Sequence, residues 1–279
     1  MNENDYGKVK YYNLTDEKNL SYLPNRSKKI SVYTPPDYDE NKKFSVVYAF
    51  DGQNLYKKAE GREPNKDSHG SWAVDEACAN TVKKGLRGAI IVGIDDSDGY
   101  RDKELTMSSD FGEFGNLDLS ESFLDGKLNE LGRFLIETVF PFVKERYSVA
   151  DCERQTAIVG SSSGGLAAYY LGLKYNALFG YIGAFSPANA IFSTSAWNNF
   201  YSKKDFSKNR PTVYVYSGYN DGFIEDDLIN GAKAVRELTR YGYDDAEIIE
   251  RFIEYGLHNE SYWRAVFPQF LELFLKRTV

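Results

Sequence analysis

Histidine is nearly absent from this chain: His69 and His258 are the only two in 279 residues. A histidine-rich metal site is thereby excluded, because zinc and related ions need several converging nitrogen or sulfur ligands. Cysteine is as scarce, with Cys78 and Cys152 alone and no CxxC spacing. That excludes a disulfide framework and a zinc knuckle, and leaves two buried thiols as the expectation. No run of lysine and arginine occurs and the formal net charge is -7, so a surface that tracks phosphate backbones, and with it a nucleic-acid partner, is not expected. No apolar run approaches membrane-spanning length, and Met1-Asn2-Glu3-Asn4-Asp5 carries neither the basic flank nor the apolar stretch of a secretory signal. A cytoplasmic protein with no membrane partner is the expectation.

What is present is the composition of a globular protein, 42% apolar and 27% charged, enough to bury a sizeable core. The length suits one large domain over residues 1–279, since doubly wound and barrel α/β domains reach this size around a single core. Runs of β-branched and aromatic residues predict strands over 30–33, 44–50, 89–94, 156–160, 181–185, 212–217 and 248–255. Between them, helical spacing predicts helices over 72–83, 128–146, 166–175, 226–240 and 262–276, with Pro141 kinking or splitting the second. Such alternation implies crossover units and an α/β fold with a mostly parallel central sheet covered by helices on both faces. The runs 44–50, 89–94 and 156–160 are almost continuously apolar, as befits central strands. The polar stretches 54–71 and 95–126 read as loops at the carboxyl ends of strands, where an open α/β sheet has its crevice.

Chemistry enters at Gly160-Ser161-Ser162-Ser163-Gly164, where an apolar strand runs into a helix. A nucleophile in a sharp strand-to-helix turn needs small residues two positions to either side, so that strand and helix can approach. That register selects Ser162, flanked by Gly160 and Gly164, and aims the Ser163 amide at a developing oxyanion from the amino end of the helix. A serine hydroxyl is a poor nucleophile at neutral pH and needs a histidine base oriented by a carboxylate, in the α/β-hydrolase order Ser, Asp or Glu, His. Only His258 follows Ser162. It stands between a predicted strand and the last helix, and as an ordinary histidine it would lose its function as a base below about pH 6. Asp221 follows the 212–217 strand and is the expected acid, while Glu225, Asp226 and Asp227 crowd the same loop, where helix capping also accounts for carboxylates.

These residues resemble the esterase branch of the α/β-hydrolases, which includes esterase D, feruloyl and acetylxylan esterases and the enterochelin esterases. The likeness is carried by Val47-Tyr48-Ala49-Phe50-Asp51-Gly52-Gln53, by Gly160 to Gly165 with Gly183-Ala184-Phe185-Ser186-Pro187, and by Gly256-Leu257-His258-Asn259 ahead of Trp263. The resemblance implies a second oxyanion donor, here the backbone amide of Gln53. Where many relatives carry His-Gly, this chain has Asp51-Gly52, and Asp51 is expected to serve loop hydrogen bonding. Arg101 is similar to an arginine that relatives place after the corresponding strand, which leaves substrate contact and an exposed loop charge both open. His69 is expected to be solvated.

The reading is a serine carboxylic-ester hydrolase acting through an acyl-enzyme, with neither metal nor organic cofactor. The resemblance implies an acetyl or feruloyl ester of a carbohydrate, or a related small ester, as its substrate. Alternatives are a catalytically silent carbohydrate-binding or scaffold protein on the same fold and, within the fold, a siderophore esterase, a peptidase or an acyltransferase.

Overall fold

The computed structural model describes residues 3–66, 68–115, 121–218 and 233–277. Among the described residues, eight strands form a mostly parallel sheet flanked by helices. Contacts divide the chain into two compact units, residues Met1–Ser97, Arg133–Ala157 and Asn259–Val279 in one, Asp98–Gly132 and Ile158–His258 in the other.

In the first unit the strand order is β1 (Lys8–Thr15), β2 (Ser27–Thr34), β4 (Ala89–Ile94), β3 (Ser45–Phe50). Every residue of β3 and β4 is buried, as their unbroken apolar runs require, and the two pair in parallel from Ser45 opposite Ala89 to Phe50 opposite Ile94. β2 joins β4 antiparallel, and β1 joins β2 antiparallel. β1 has no counterpart among the strands read from sequence. It is an edge strand whose lysines Lys8 and Lys10 are exposed, a charged edge of the kind that discourages further pairing, and charge of this kind weakens an apolar alternation. Helix α1 (Val74–Lys83) and the last helix, α8 (Glu260–Lys276), pack together. Trp72 just ahead of α1 stands 5.9 Å from both Trp263 and Phe267.

The predicted helix 128–146 is three pieces: α4 (Leu128–Phe134), one π turn (Leu135–Val139) and α5 (Phe140–Arg146). Pro141 stands in the first turn of α5. Its missing N–H removes one i to i−4 bond, and the wider turn ahead of it accommodates that loss.

In the second unit, which takes in β5 (Thr156–Ser161) from Ile158 onward, the order is β5, β6 (Tyr181–Phe185), β7 (Thr212–Gly218), β8 (Ile248–Ile253), with β6, β7 and β8 parallel. Strand β8 ends before the 255 expected from sequence, because Gly256 N–H turns back onto Ile253 O at 3.0 Å. Helix α6 (Ser163–Lys174) buries every residue except the last, so its sequence is apolar and small all round. Among its described residues the long loop after β4 contains two single α turns, α2 (Arg101–Glu104) and α3 (Glu121–Leu124), with a 3-10 turn (Ser109–Phe111) between them. A further helix, α7 (Thr194–Ser202), is capped by Ser193, whose side chain accepts from Ala196 N–H, and it buries Trp197 and Tyr201 one turn apart. Of the helix read over 226–240, residues 233–236 are helical and Glu237–Tyr241 form a tighter 3-10 turn; its beginning lies outside the described residues. Among the described residues no helix is long and apolar enough to cross a membrane.

Candidate active site

The glycine-flanked serine stands where its pattern requires. β5 ends at Ser161, α6 begins at Ser163, and Ser162 between them has φ 56° and ψ −126°. A non-glycine residue at positive φ costs on the order of 1–3 kcal/mol and persists only where its surroundings hold it. Here they do: Ser162 N–H donates to Phe185 O at 2.9 Å, and Ser162 O accepts from Leu166 N–H at 3.0 Å and Ala188 N–H at 3.1 Å. The segment after β6 thus binds the turn from one side, and Ser186 itself holds φ 43° with its N–H on Tyr216 O at 2.7 Å. Glycine at 160 is obligatory, since a Cβ there would lie 2.2 Å from Gly164 O.

Burial separates the three serines. Ser161 and Ser163 are 2% and 4% exposed, whereas Ser162 is only partly buried, so of the three it keeps the most contact with solvent. Ser163 opens α6, and the first N–H groups of a helix have no partner within it. Its amide therefore points outward at the positive end of the helix dipole.

His258 follows β8 by five residues and directly precedes Asn259, which caps α8 by accepting from Ser261 N–H at 3.1 Å. The loop that carries it is drawn against the end of β7: a Cβ on Gly218 would meet Gly256 backbone at 2.7 Å, and one on Gly256 would meet Tyr216 Oη at 2.4 Å. Burial, with the charge of Arg101 second, depresses the imidazole to about 4. The ring is therefore neutral, the form a general base needs, to well below the pH 6 expected of an ordinary histidine. The structure thus brings Arg101 into the field of His258. Arg101 opens α2, keeps 32% of its side chain exposed and lies 3.7 Å from Asp102. His69 is exposed, and its carbonyl accepts from Arg264 Nη2 at 3.2 Å. Asp221 and Glu225, like Asp226 and Asp227, lie outside the described residues.

Gln53 belongs to the first unit, in a single 3-10 turn (Gly52–Asn54) directly after β3. Asp51 enters that turn at φ 55° and accepts Asn54 N–H at 3.0 Å. The Gln53 side chain is tied down, its Oε1 accepting from Asp96 N–H at 3.0 Å, while its carbonyl accepts from Asn65 Nδ2 at 3.2 Å. Its own N–H has no acceptor among the described residues.

Asp95 was not singled out by sequence. It closes β4 beside this loop, is 6% exposed, and its Oδ1 has no hydrogen-bond partner among the described residues. Burial pushes its carboxyl up to about 6 against the pull of Lys29, Lys66 and Lys28. Only its neighbours in space make it unusual, so no spacing in the chain marks it. Among the described residues no group of histidine, cysteine or carboxylate side chains is arranged to hold a metal ion.

Known structures share this architecture. A CE1 ferulic acid esterase from Anaeromyces mucronatus is similar at 22% identity over 98% of this chain and 92% of its own, with a TM-score of 0.70. Siderophore hydrolase EstA from Aspergillus nidulans is 17% identical over 96% of this chain and 94% of its own, with a TM-score of 0.72. The enterobactin esterase FES from Shigella flexneri, 15% identical with a TM-score of 0.66, is matched over 98% of this chain but only 60% of its own. At these identities the likeness establishes the α/β-hydrolase fold. Residues 21–274 match the sequence profile of the family described as "Putative esterase", and the chain belongs to that family as an esterase.

Proposed function

We propose that the chain hydrolyses carboxylic esters in two steps through an acyl-enzyme on Ser162. Ser162 Oγ attacks the ester carbonyl while His258 takes its proton; His258 returns that proton to the leaving alcohol; water then repeats the sequence and frees the acid and the serine. Asp221 is the carboxylate that fixes the imidazole tautomer, with Glu225 the alternative. The amides of Ser163 and Gln53 stabilise the tetrahedral oxyanion, each worth on the order of 3 kcal/mol by analogy with measured oxyanion-hole losses. No metal or organic cofactor takes part. Arg101, whose charge reaches His258, contacts the substrate.

The observation that carries this reading is the backbone of Ser162: a positive φ held by three main-chain hydrogen bonds, between a buried strand and a buried helix. Acetyl or feruloyl esters of carbohydrates, or a related small ester, are the proposed substrate class. The ferulic acid esterase neighbour favours this, and the siderophore hydrolase neighbour keeps a siderophore ester as the second class.

The test is purified Ser162→Ala against p-nitrophenyl acetate. A fall of about 10⁴-fold or more in kcat with native folding is expected, and retained turnover would remove Ser162 from the mechanism. For the acid, Asp221→Asn is expected to cost several orders of magnitude and Glu225→Gln little; the reverse pattern reassigns the role.

A further inference from the structure

The end of β4 reaches the Gln53 turn through two contacts of different character. One is the neutral hydrogen bond from Asp96 N–H to Gln53 Oε1. The other is the Asp95 carboxyl, whose Oδ1 lies 2.6 Å from where a Cβ on Gly52 would stand. That oxygen thus occupies the space a side chain on the glycine preceding Gln53 would need, and no larger residue fits there. Covalent geometry then puts that oxygen within about 6 Å of the Gln53 nitrogen. No hydrogen bond steadies it among the described residues, although it is buried.

A buried carboxyl without a donor favours its neutral form. The charged groups that bear on it are Lys28 and Lys29 from β2, Lys66 from the loop after Gln53, and the adjacent Asp96. The hydroxyls of Tyr11 on β1 and of Tyr56 also lie within its field. Lys28 and Lys66 are engaged elsewhere, Lys28 donating to Ser97 Oγ at 2.9 Å and Lys66 pairing with Asp96 at 3.4 Å. Burial prevails over all three lysines, so the carboxyl titrates close to neutrality.

We propose that Asp95 is a positioning residue for the oxyanion turn: its uncharged carboxyl seats Gly52 and Gln53, and its ionisation opposes the negative charge that the Gln53 amide stabilises. This rests on the reading of Gln53 as an oxyanion donor. At low pH the carboxyl is neutral and the turn functions fully. As pH rises through the carboxyl's titration, a buried negative charge appears beside the turn, and transition-state stabilisation falls while substrate binding is little altered.

The experiment compares kcat/KM for p-nitrophenyl acetate, corrected for spontaneous hydrolysis, between pH 4.5 and 8.5 in the wild type, Asp95→Asn and Asp95→Ser. Both variants are neutral, and the second is small enough to fold should the amide of the first be poorly accommodated. The expected result is that Asp95→Asn equals the wild type near pH 5 and exceeds it about three- to tenfold at pH 8, carried by kcat, while Asp95→Ser, which lacks the seating group, starts lower near pH 5 but shows the same flat profile. The wild type alone then shows a downward step between pH 5 and 7. Variant profiles that run parallel to the wild type over the whole range overturn the proposal. Gln53→Pro, which removes the amide hydrogen, separates the two ideas. Undiminished turnover by it overturns the Gln53 reading and the proposal together, whereas a large loss there with parallel Asp95 profiles overturns only the role of Asp95.

Discussion

The chemistry at the residue scale turns on which groups lose contact with water. Ser162 keeps some exposure between two buried serines, and His258 is desolvated enough to stay neutral down to about pH 4. Arg101 contributes to that depression, so Arg101→Gln is expected to raise the imidazole's titration and move the acid limb of kcat/KM to higher pH. A pH profile with a neutral ester checks it, and a limb that stays put or moves lower contradicts it. Ser162 and His258 stand out in the sequence as candidates for different reasons. The serine is marked by glycines in a strand-to-helix setting, the histidine by the scarcity of its kind. Asp95 carries no such mark, because its meaning lies in packing on Gly52 from another strand.

At the scale of elements, the turn at Ser162 depends on how closely β5 and α6 approach. Gly160→Ala inserts a methyl 2.2 Å from a backbone oxygen that cannot rotate away, and overpacking of this kind costs about 1–3 kcal/mol or more. A melting temperature lower by about 5 °C, with activity lost in proportion to the displaced turn, is the expected outcome by calorimetry and rate assay; an unchanged melting point would show that strand and helix are not so tightly apposed. The same closeness explains what the sequence made plain. Fully buried strands such as β3, β4 and β5 read as apolar runs because both faces are covered. β1 did not, because an edge strand alternates lysines with apolar residues. α7 was missed although Ser193 and the pair Trp197 and Tyr201 give it a cap and a buried stripe; its asparagines and serines favour turns when read locally.

For the molecule as a whole, two displaced titrations act on stability with opposite sign. His258 titrates near 4 when folded against 6.5 ordinarily, so the unfolded chain takes up a proton first and stability from this group falls as pH drops from about 6.5 towards 4. Asp95 titrates near 6 when folded against 3.8 ordinarily, so the folded chain keeps its proton longer and stability falls as pH rises from 3.8 through 6. Between pH 4 and 6 the two contributions oppose each other. Asp95→Asn removes one of them and is expected to be more stable than the wild type at pH 8 by on the order of 2 kcal/mol, with the advantage gone near pH 4. Urea unfolding at both pH values checks it; an advantage of equal size at both would mean that ionisation of Asp95 is not its source.

The claim on which the rest depends is that Ser162 is the nucleophile, and covalent labelling tests it most directly. The wild type is treated with a fluorophosphonate and digested with trypsin, and the modified serine is located by fragment ions within the peptide of residues 155–174. The account predicts a single adduct on Ser162, formed in the wild type and not in Ser162→Ala. An adduct on Ser161, on Ser163 or outside that peptide, or no adduct on a folded protein that turns over esters, would contradict it.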